Sequence, residues 1–273
     1  MDRPPLDVDR LRAGVGDRWA RVDVVAETTS TNADLLAAAT ADASLDRVVL
    51  AAEHQIAGRG RLDRVWTSPA RAGLTASLLV RPAVPAARWG WLPLLAGVAV
   101  VDAVRAETGV ECALKWPNDV LARLDGRKLA GILAQTAGGA VVVGVGLNVS
   151  TTRDELPVDT ATSLALAGSP DVDRTALLGA LLAALDSWLT RWTDAGGDPD
   201  AAGLAQAYRQ RCATLGAQVR VDLGGAAVVG RAVDVDEFGR LLVAAADDAD
   251  DADDAAAAPR PLAAGDVEHL RPT

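Results

Sequence analysis

Residues 115–133 read KWPNDVLARLDGRKLAGIL and hold both lysines of the 273-residue chain, Lys115 and Lys128; the remainder of its 27 lysines and arginines are arginine. A compact, rotatable ammonium group is not imitated by a guanidinium fork. Lysines kept against so strong a bias therefore mark places where the ammonium matters. CALKW and DVLARL read as strands. Asp125-Gly126, between DVLARL and RKLAGILAQ, is the signature of a two-residue hairpin, which would return Lys128 toward the pocket of Lys115. Asparagine is equally scarce and occurs only as Asn32 in STN, Asn118 in KWPND and Asn148 in GVGLN. Scarce residue types gathered in short, polar, glycine-marked stretches are the first candidates for chemistry, against accidental clustering.

Working outward from that segment, VDVVAETT (22–29) reads as a strand, followed by a helix that Ser30 or Thr31 can cap. VVLAAEHQ (48–55) reads as a buried strand leading into the loop GRGRLDRVW (58–66). LTASLLVRP (74–82) reads as another strand, closed by Pro82. Residues 92–108 have helical periodicity and stop at Gly109, a residue type that tolerates the left-handed C′ conformation. AVVVGVGLNVS (140–150) completes a β-rich middle. Helices are expected over Thr175–Trp192 and Leu204–Cys212. Beyond them, AQVRVDL, AAVVGRAVDVD, GRLLVAA and GDVEHLRP alternate like the strands of a small barrel. The run DDADDADDAAAA (247–258) interrupts it as an acidic low-complexity loop. The expected division is a domain over 1–213 and a second over 214–273.

Half of the residues are hydrophobic, enough for one good-sized core plus a small second domain. The formal net charge of -10 argues against DNA or RNA as partner, because phosphate backbones need a basic face. No apolar stretch reaches the roughly 20 residues that span a bilayer, and MDRPPLDVDRLRAG lacks the apolar core of a signal peptide. Cys112 and Cys212, isolated from one another, build neither a disulfide framework nor a metal cluster. A cytoplasmic setting is expected.

GRGR (58–61), with Arg64 and Trp66 behind it, combines glycines that let backbone N–H groups approach a ligand with guanidinium forks suited to phosphate or carboxylate. It does not match the GxxxxGK[ST] phosphate loop. GVGLN lacks the third glycine and the following helix of a dinucleotide fingerprint. KWPND presents a cation, an amide and a carboxylate at a strand end. Several cations converging on one cleft of an acidic chain imply an anionic reactant.

STN, AEHQxAGRGRxxRxW, KWPNDV, GRKLAGIL and VGVGLNV, in this order and spacing, resemble biotin protein ligase, the enzyme that attaches biotin to a carboxyl carrier protein. The likeness runs from Glu27 to Asn148 and continues weakly through TATSL (160–164). It implies an α+β fold: a catalytic domain like that of class II aminoacyl-tRNA synthetases, with a mixed β-sheet flanked by helices, followed by an SH3-like barrel. It implies ATP and Mg2+ as cofactors, biotin as substrate, a biotin carboxyl carrier protein as partner, and two half-reactions through biotinyl-5′-AMP. About 25 residues precede the first motif, too few for the DNA-binding winged helix of some members, so a monofunctional ligase is expected. The catalytic sheet edge is a place where two chains can pair as a homodimer.

By the same resemblance, Ser30, Thr31, Asn32 and Gln55, with backbone around Gly58 and Arg59, would bind biotin, and Gly131, Leu133, Gly144 and Gly146 would line its tail. Arg61, Arg64 and Lys128 would act on the α-phosphate and the reacting carboxyl oxygen. Trp66 would pack on the adenylate, Lys115, Asn118 and Asp119 would position phosphate or ribose, and Asn148 would read adenine. For Trp66 and Leu133 plain core packing competes. The arginine loop is expected to be mobile until ligands order it. The rivals are a lipoate or octanoate transferase, for which Cys112 has no adjacent histidine, and a non-catalytic biotin sensor, which would have little use for so many cations.

Overall fold

The computed structural model describes residues 3–62, 64–245 and 258–270, so the acidic run expected over 247–258 lies outside the described residues except for Ala258. Seven strands form the main sheet: β1 (Arg21–Val25), β2 (Val48–Ala52), β3 (Gly73–Val80), β4 (Cys112–Lys115), β5 (Asp119–Ala122), β6 (Lys128–Ala137) and β7 (Ala140–Asn148). Their order is β1-β2-β3-β7-β6-β5-β4. The β1–β2 pair is parallel and every other pair antiparallel, so the sheet is mixed, as expected.

Both faces of this sheet are covered, and the strand sequences show why. Successive side chains on a strand point to opposite faces. On β7, Val142 joins Val48 and Leu79 in a small cluster under Leu35 and Ala39 of helix α2 (Thr31–Ala41). Its neighbours Val141, Val143 and Val145 join the larger core, with Leu78 and Val80 of β3. A strand buried on both sides reads as a continuous apolar run, which is what AVVVGVGL is. The larger core is closed by α1 (Val8–Val15), α3 (Trp91–Thr108), α4 (Arg174–Asp194) and α5 (Leu204–Arg211). Helix α3 is apolar on nearly every side, the pattern of a fully buried helix. It ends where Gly109 adopts φ 69°. Trp91 at its start meets Tyr208 of α5 edge-on, with ring centroids 6.0 Å apart.

The C-terminal sheet is antiparallel, in the order β11-β10-β9-β8-β12. Its strands are β8 (Gln218–Asp222), β9 (Ala227–Val235), β10 (Leu241–Ala245), β11 (Arg260–Leu262) and β12 (Asp266–His269). Val219 and Val221 alternate inward along β8, and their core is continuous with the main one. Two buried indoles hold the domains together: Trp91 Nε1 donates to Asp236 O and Trp116 Nε1 to Gly239 O, each at 3.1 Å.

Three features depart from expectation. Helix α1 and strand β11 were not foreseen: the i, i+4 pair Leu11 and Val15 behind the Asp7 cap was a helical signal left unread, while β11 is three residues long and buries Leu262 alone. The Asp125-Gly126 turn is not a two-residue hairpin. Ala122 N donates to Arg127 O, so Arg123–Gly126 form a four-residue loop. A two-residue type I′ turn needs positive φ at both central positions, and of the pair only Gly126 (φ 69°) has it.

Candidate active site

One register row crosses five strands of the main sheet. Lys115 pairs with Asp119, Asp119 with Gly131, Gly131 with Gly146, and Gly146 with Thr75. All five line a single cavity of about 920 Å³. This row explains how motifs remote in sequence share a site: the strands carry KWPND, GRKLAGIL and VGVGLN into adjacent lanes. Gln55, Arg61 and Lys128 border the same cavity, as does every other residue assigned above to biotin, nucleotide or catalysis, with one exception.

The exception is Gly58. A Cβ there would lie 2.5 Å from Trp66 O, and Trp66 N donates to Gly58 O at 2.9 Å. Gly58 thus lets the two limbs of the arginine loop close together and does not line the ligand space. Two further glycines serve a neighbour in the same way. At Gly146 a Cβ would fall 2.4 Å from the Trp66 indole, and at Gly131 3.3 Å from it. The cross-strand pair Gly131–Gly146 is therefore the bed on which the Trp66 ring lies. A Cβ at Gly144 would come 2.3 Å from Asn32 Oδ1.

At one side of the cavity Ser30 caps α2, and Thr31 donates both its N–H and its hydroxyl to Gln55 Oε1 (2.8 and 2.9 Å). Thr31 Oγ1 also lies 2.7 Å from Ser77 Oγ, which donates to Asn32 Oδ1 at 2.6 Å. Asn32 Nδ2 donates to Leu133 O and Gln135 Oε1. The Thr31 and Ser77 hydroxyls have two protons for three contacts, so the network can accept a hydrogen bond from a ligand N–H without leaving a buried donor stranded. Ser77 escaped the sequence reading, although the hydroxyls of Thr75 and Ser77 in the otherwise apolar strand LTASLLV were a signal.

The other side is cationic. Lys128 Nζ pairs with Asp119 Oδ1 at 2.6 Å and lies 5.9 Å from the Trp66 ring centroid. Arg61 Nη1 donates to Asn118 Oδ1 at 3.1 Å, and Asn118 Nδ2 to Ile132 O. Burial pushes the Arg61 guanidinium down, while Asp119 and Asp266 oppose that. Asn148 donates to Thr162 O at 2.9 Å, which ties TATSL to the end of β7. Lys115 and Lys128 border the same cavity as the arginine loop.

A wall of this cavity comes from β12, through Asp266, Val267, Glu268 and His269. Nothing local in GDVEHL announces it. Burial, then Lys115, holds His269 below its usual value. Its Nε2 lies 3.1 Å from Thr214 Oγ1, which accepts from Trp116 N. Cys112 is buried, and burial pushes its thiol up to about 12. Among the described residues no group of three or more His, Cys, Asp or Glu side chains is placed to hold a metal ion.

Residues 24–151 match the family model described as Biotin/lipoate A/B protein ligase family, and residues 214–270 that of the biotin protein ligase C terminal domain. The chain is 48% identical to the biotin--[acetyl-CoA-carboxylase] ligase of Mycobacterium tuberculosis over 98% of its own length and 97% of the relative's. It is 33% identical to the ligase of the same name from Paracoccus denitrificans, covering 81% and 92%. Among solved structures, the biotin protein ligase from Aquifex aeolicus in complex with biotin and ATP superposes with a TM-score of 0.73 at 25% identity, over 93% of this chain and 100% of that one. Sequence, fold and cavity agree that the chain belongs to the biotin protein ligase family.

Proposed function

We propose that this cavity activates biotin with ATP and passes it to a lysine of a biotin carboxyl carrier protein, the carrier being that of acetyl-CoA carboxylase. The observation that carries this reading is a polar, uncharged pocket beside a cationic one within a single cavity, joined by the Lys115–Thr75 row. The pocket of Thr31, Gln55 and Asn32 suits a small neutral ring with N–H groups, such as the ureido ring of biotin. A carboxylate and a triphosphate repel one another, and Lys128, Arg61, Arg64 and Lys115 offset that repulsion where they must meet.

In the first half-reaction the biotin carboxylate oxygen attacks the α-phosphorus of ATP and pyrophosphate leaves with the electron pair of the broken P–O bond. Lys128 and Arg61 hold charge on the attacking carboxylate and the α-phosphate oxygens; Trp66 shields the mixed anhydride from water. In the second, the carrier's ε-amine attacks the acyl carbon, AMP leaves, and the amine proton passes to solvent. Lys115, Asn118 and Asp119 orient the phosphate and ribose side, and Asn148 the adenine side. Mg2+ supplies further charge neutralisation when it accompanies ATP. The described residues build no cage of three side chains for it, so the nucleotide phosphates themselves would carry it.

The remaining assignments belong to the same reading: a catalytic domain over 1–213 and a C-terminal one over 214–273, a cytoplasmic setting without DNA as partner, and homodimers through an outer strand of the main sheet. No described helix is long and apolar enough to cross a membrane. Transfer through a cysteine thioester is disfavoured, since Cys112 is buried and its thiol held protonated. The test is to incubate the chain with biotin, ATP and a carboxyl carrier domain and locate the adduct by mass spectrometry. One biotinyl group on one carrier lysine, with AMP formed in equal amount, is the expected result. An unmodified carrier overturns the reading.

A further inference from the structure

Arg64, on the arginine loop of the catalytic domain, makes a two-pronged ion pair with Asp266, the first residue of β12 in the C-terminal sheet. The Asp266 carboxylate is held low first by the hydrogen bond from Arg64, then by the charges of Arg64, Lys115 and Arg61. It therefore stands among three of the four cations that the proposed function assigns to nucleotide and carboxylate. The guanidinium fork fits a carboxylate and a phosphate alike, and Arg64 cannot grip both with the same N–H groups. Both partners are more than half exposed, 62% and 51%. An ion pair so wet is weak and readily exchanged.

We propose that Asp266 is an internal stand-in for nucleotide phosphate: it clasps Arg64, and with it the arginine loop, against the C-terminal sheet until ATP takes the guanidinium over. The clasp rests on the reading of the cavity as an ATP site. It gives the C-terminal domain a definite part in the first half-reaction, that of a competitor which ATP must displace. It also lowers the mutual repulsion of the loop arginines while the cavity holds no anion.

The test uses the full chain and its Asp266→Asn variant. Calorimetry with ATP should show tighter binding by roughly threefold in the variant, the range set by a surface ion pair, with biotin affinity unchanged. Trypsin, which cuts after arginine, should cleave within 58–66 faster in the ligand-free variant than in the ligand-free parent, and equally slowly once biotin and ATP are added. ATP affinity that is unchanged or weaker in the variant overturns the clasp, as does equal cleavage without ligand. Biotin-dependent exchange of pyrophosphate into ATP by the unaltered chain reports separately on the function. If exchange is present and the variant behaves like the parent, only the clasp fails. If exchange is absent, the functional reading fails and the trypsin comparison still judges the clasp.

Discussion

Two ion-paired regions of the molecule answer burial differently. Arg174 and Glu53 are 7% and 8% exposed, and both are tied to the backbone around them: Arg174 donates to Gly73 O (3.1 Å), Pro4 O (2.6 Å) and Glu53 Oε2 (2.8 Å), while Glu53 Oε1 accepts from Leu6 N. Lys128 and Asp119 are 33% and 22% exposed, and they meet as an ion pair in which Asp119 Oδ1 accepts no hydrogen bond among the described residues, so the three N–H donors of Lys128 remain available to a ligand. The first pair fastens the N-terminal segment to the ends of β2, β3 and α4 and is buried away from any ligand. The second keeps donors in reserve and can change partner when an anion enters. Charge at a dry site tied to backbone is scaffold; charge at a half-wet site is available for chemistry.

The contrast breaks most visibly at the dry pair. Arg174→Met should cost about 3–5 kcal/mol of stability by leaving the Glu53 carboxylate buried without its partner, measured by chemical denaturation. A loss under about 1 kcal/mol would remove Arg174 from the scaffold. At the wet pair the effect should fall on rate and not on folding. Lys128→Arg should leave the denaturation midpoint in place while adenylate formation drops about 100-fold, equivalent to roughly 2.7 kcal/mol. Pyrophosphate release at the parent rate would defeat the role of Lys128.

A smaller effect is expected at Gly146. The added methyl of Gly146→Ala must displace the Trp66 ring, at about 1–3 kcal/mol, seen as a fall in kcat/KM near tenfold and a shift in tryptophan fluorescence. Gly179→Ala in α4, where a Cβ meets nothing within 4 Å, should instead stabilise by about 0.4–1 kcal/mol. If both variants behave alike, the bed under Trp66 is not what Gly146 provides. The smallest effect concerns Glu155, whose carboxyl is held at about 2 by the Arg3 guanidinium and then by Thr152 N–H. A carboxyl depressed in the folded chain stabilises it above the unfolded value, near about 4.3, and this is lost as pH falls toward about 2. The stability gap between the parent and Glu155→Gln should therefore be constant above about pH 5 and close on acidification. A gap that widens on acidification would contradict the pairing.

The elements and residues legible in the sequence were those with local signatures. Ser30 as N-cap, Gly109 at the end of α3 and the two-faced apolar run of β7 follow from side-chain and backbone preferences within a few residues. The cationic half of the site was legible because scarce lysines and asparagines stand out. Ser77 was overlooked inside an apolar strand. Asp266 and His269 were not legible at all, because their place in the cavity depends on how the C-terminal sheet docks, through Trp91 and Trp116 reaching backbone carbonyls more than a hundred residues away. The four-residue loop at Arg123–Gly126 was misread because its dipeptide matches a tighter turn whose backbone angles Asp125 does not adopt.

The cationic cleft is tested most directly by exchange of labelled pyrophosphate into ATP with no carrier present. Exchange that requires biotin, and falls about 100-fold when Lys128 alone is replaced by arginine in a chain of unchanged stability, is the expected result. Exchange that proceeds without biotin, or that the arginine variant sustains at the parent rate, would contradict a site built to bring a carboxylate against a nucleotide.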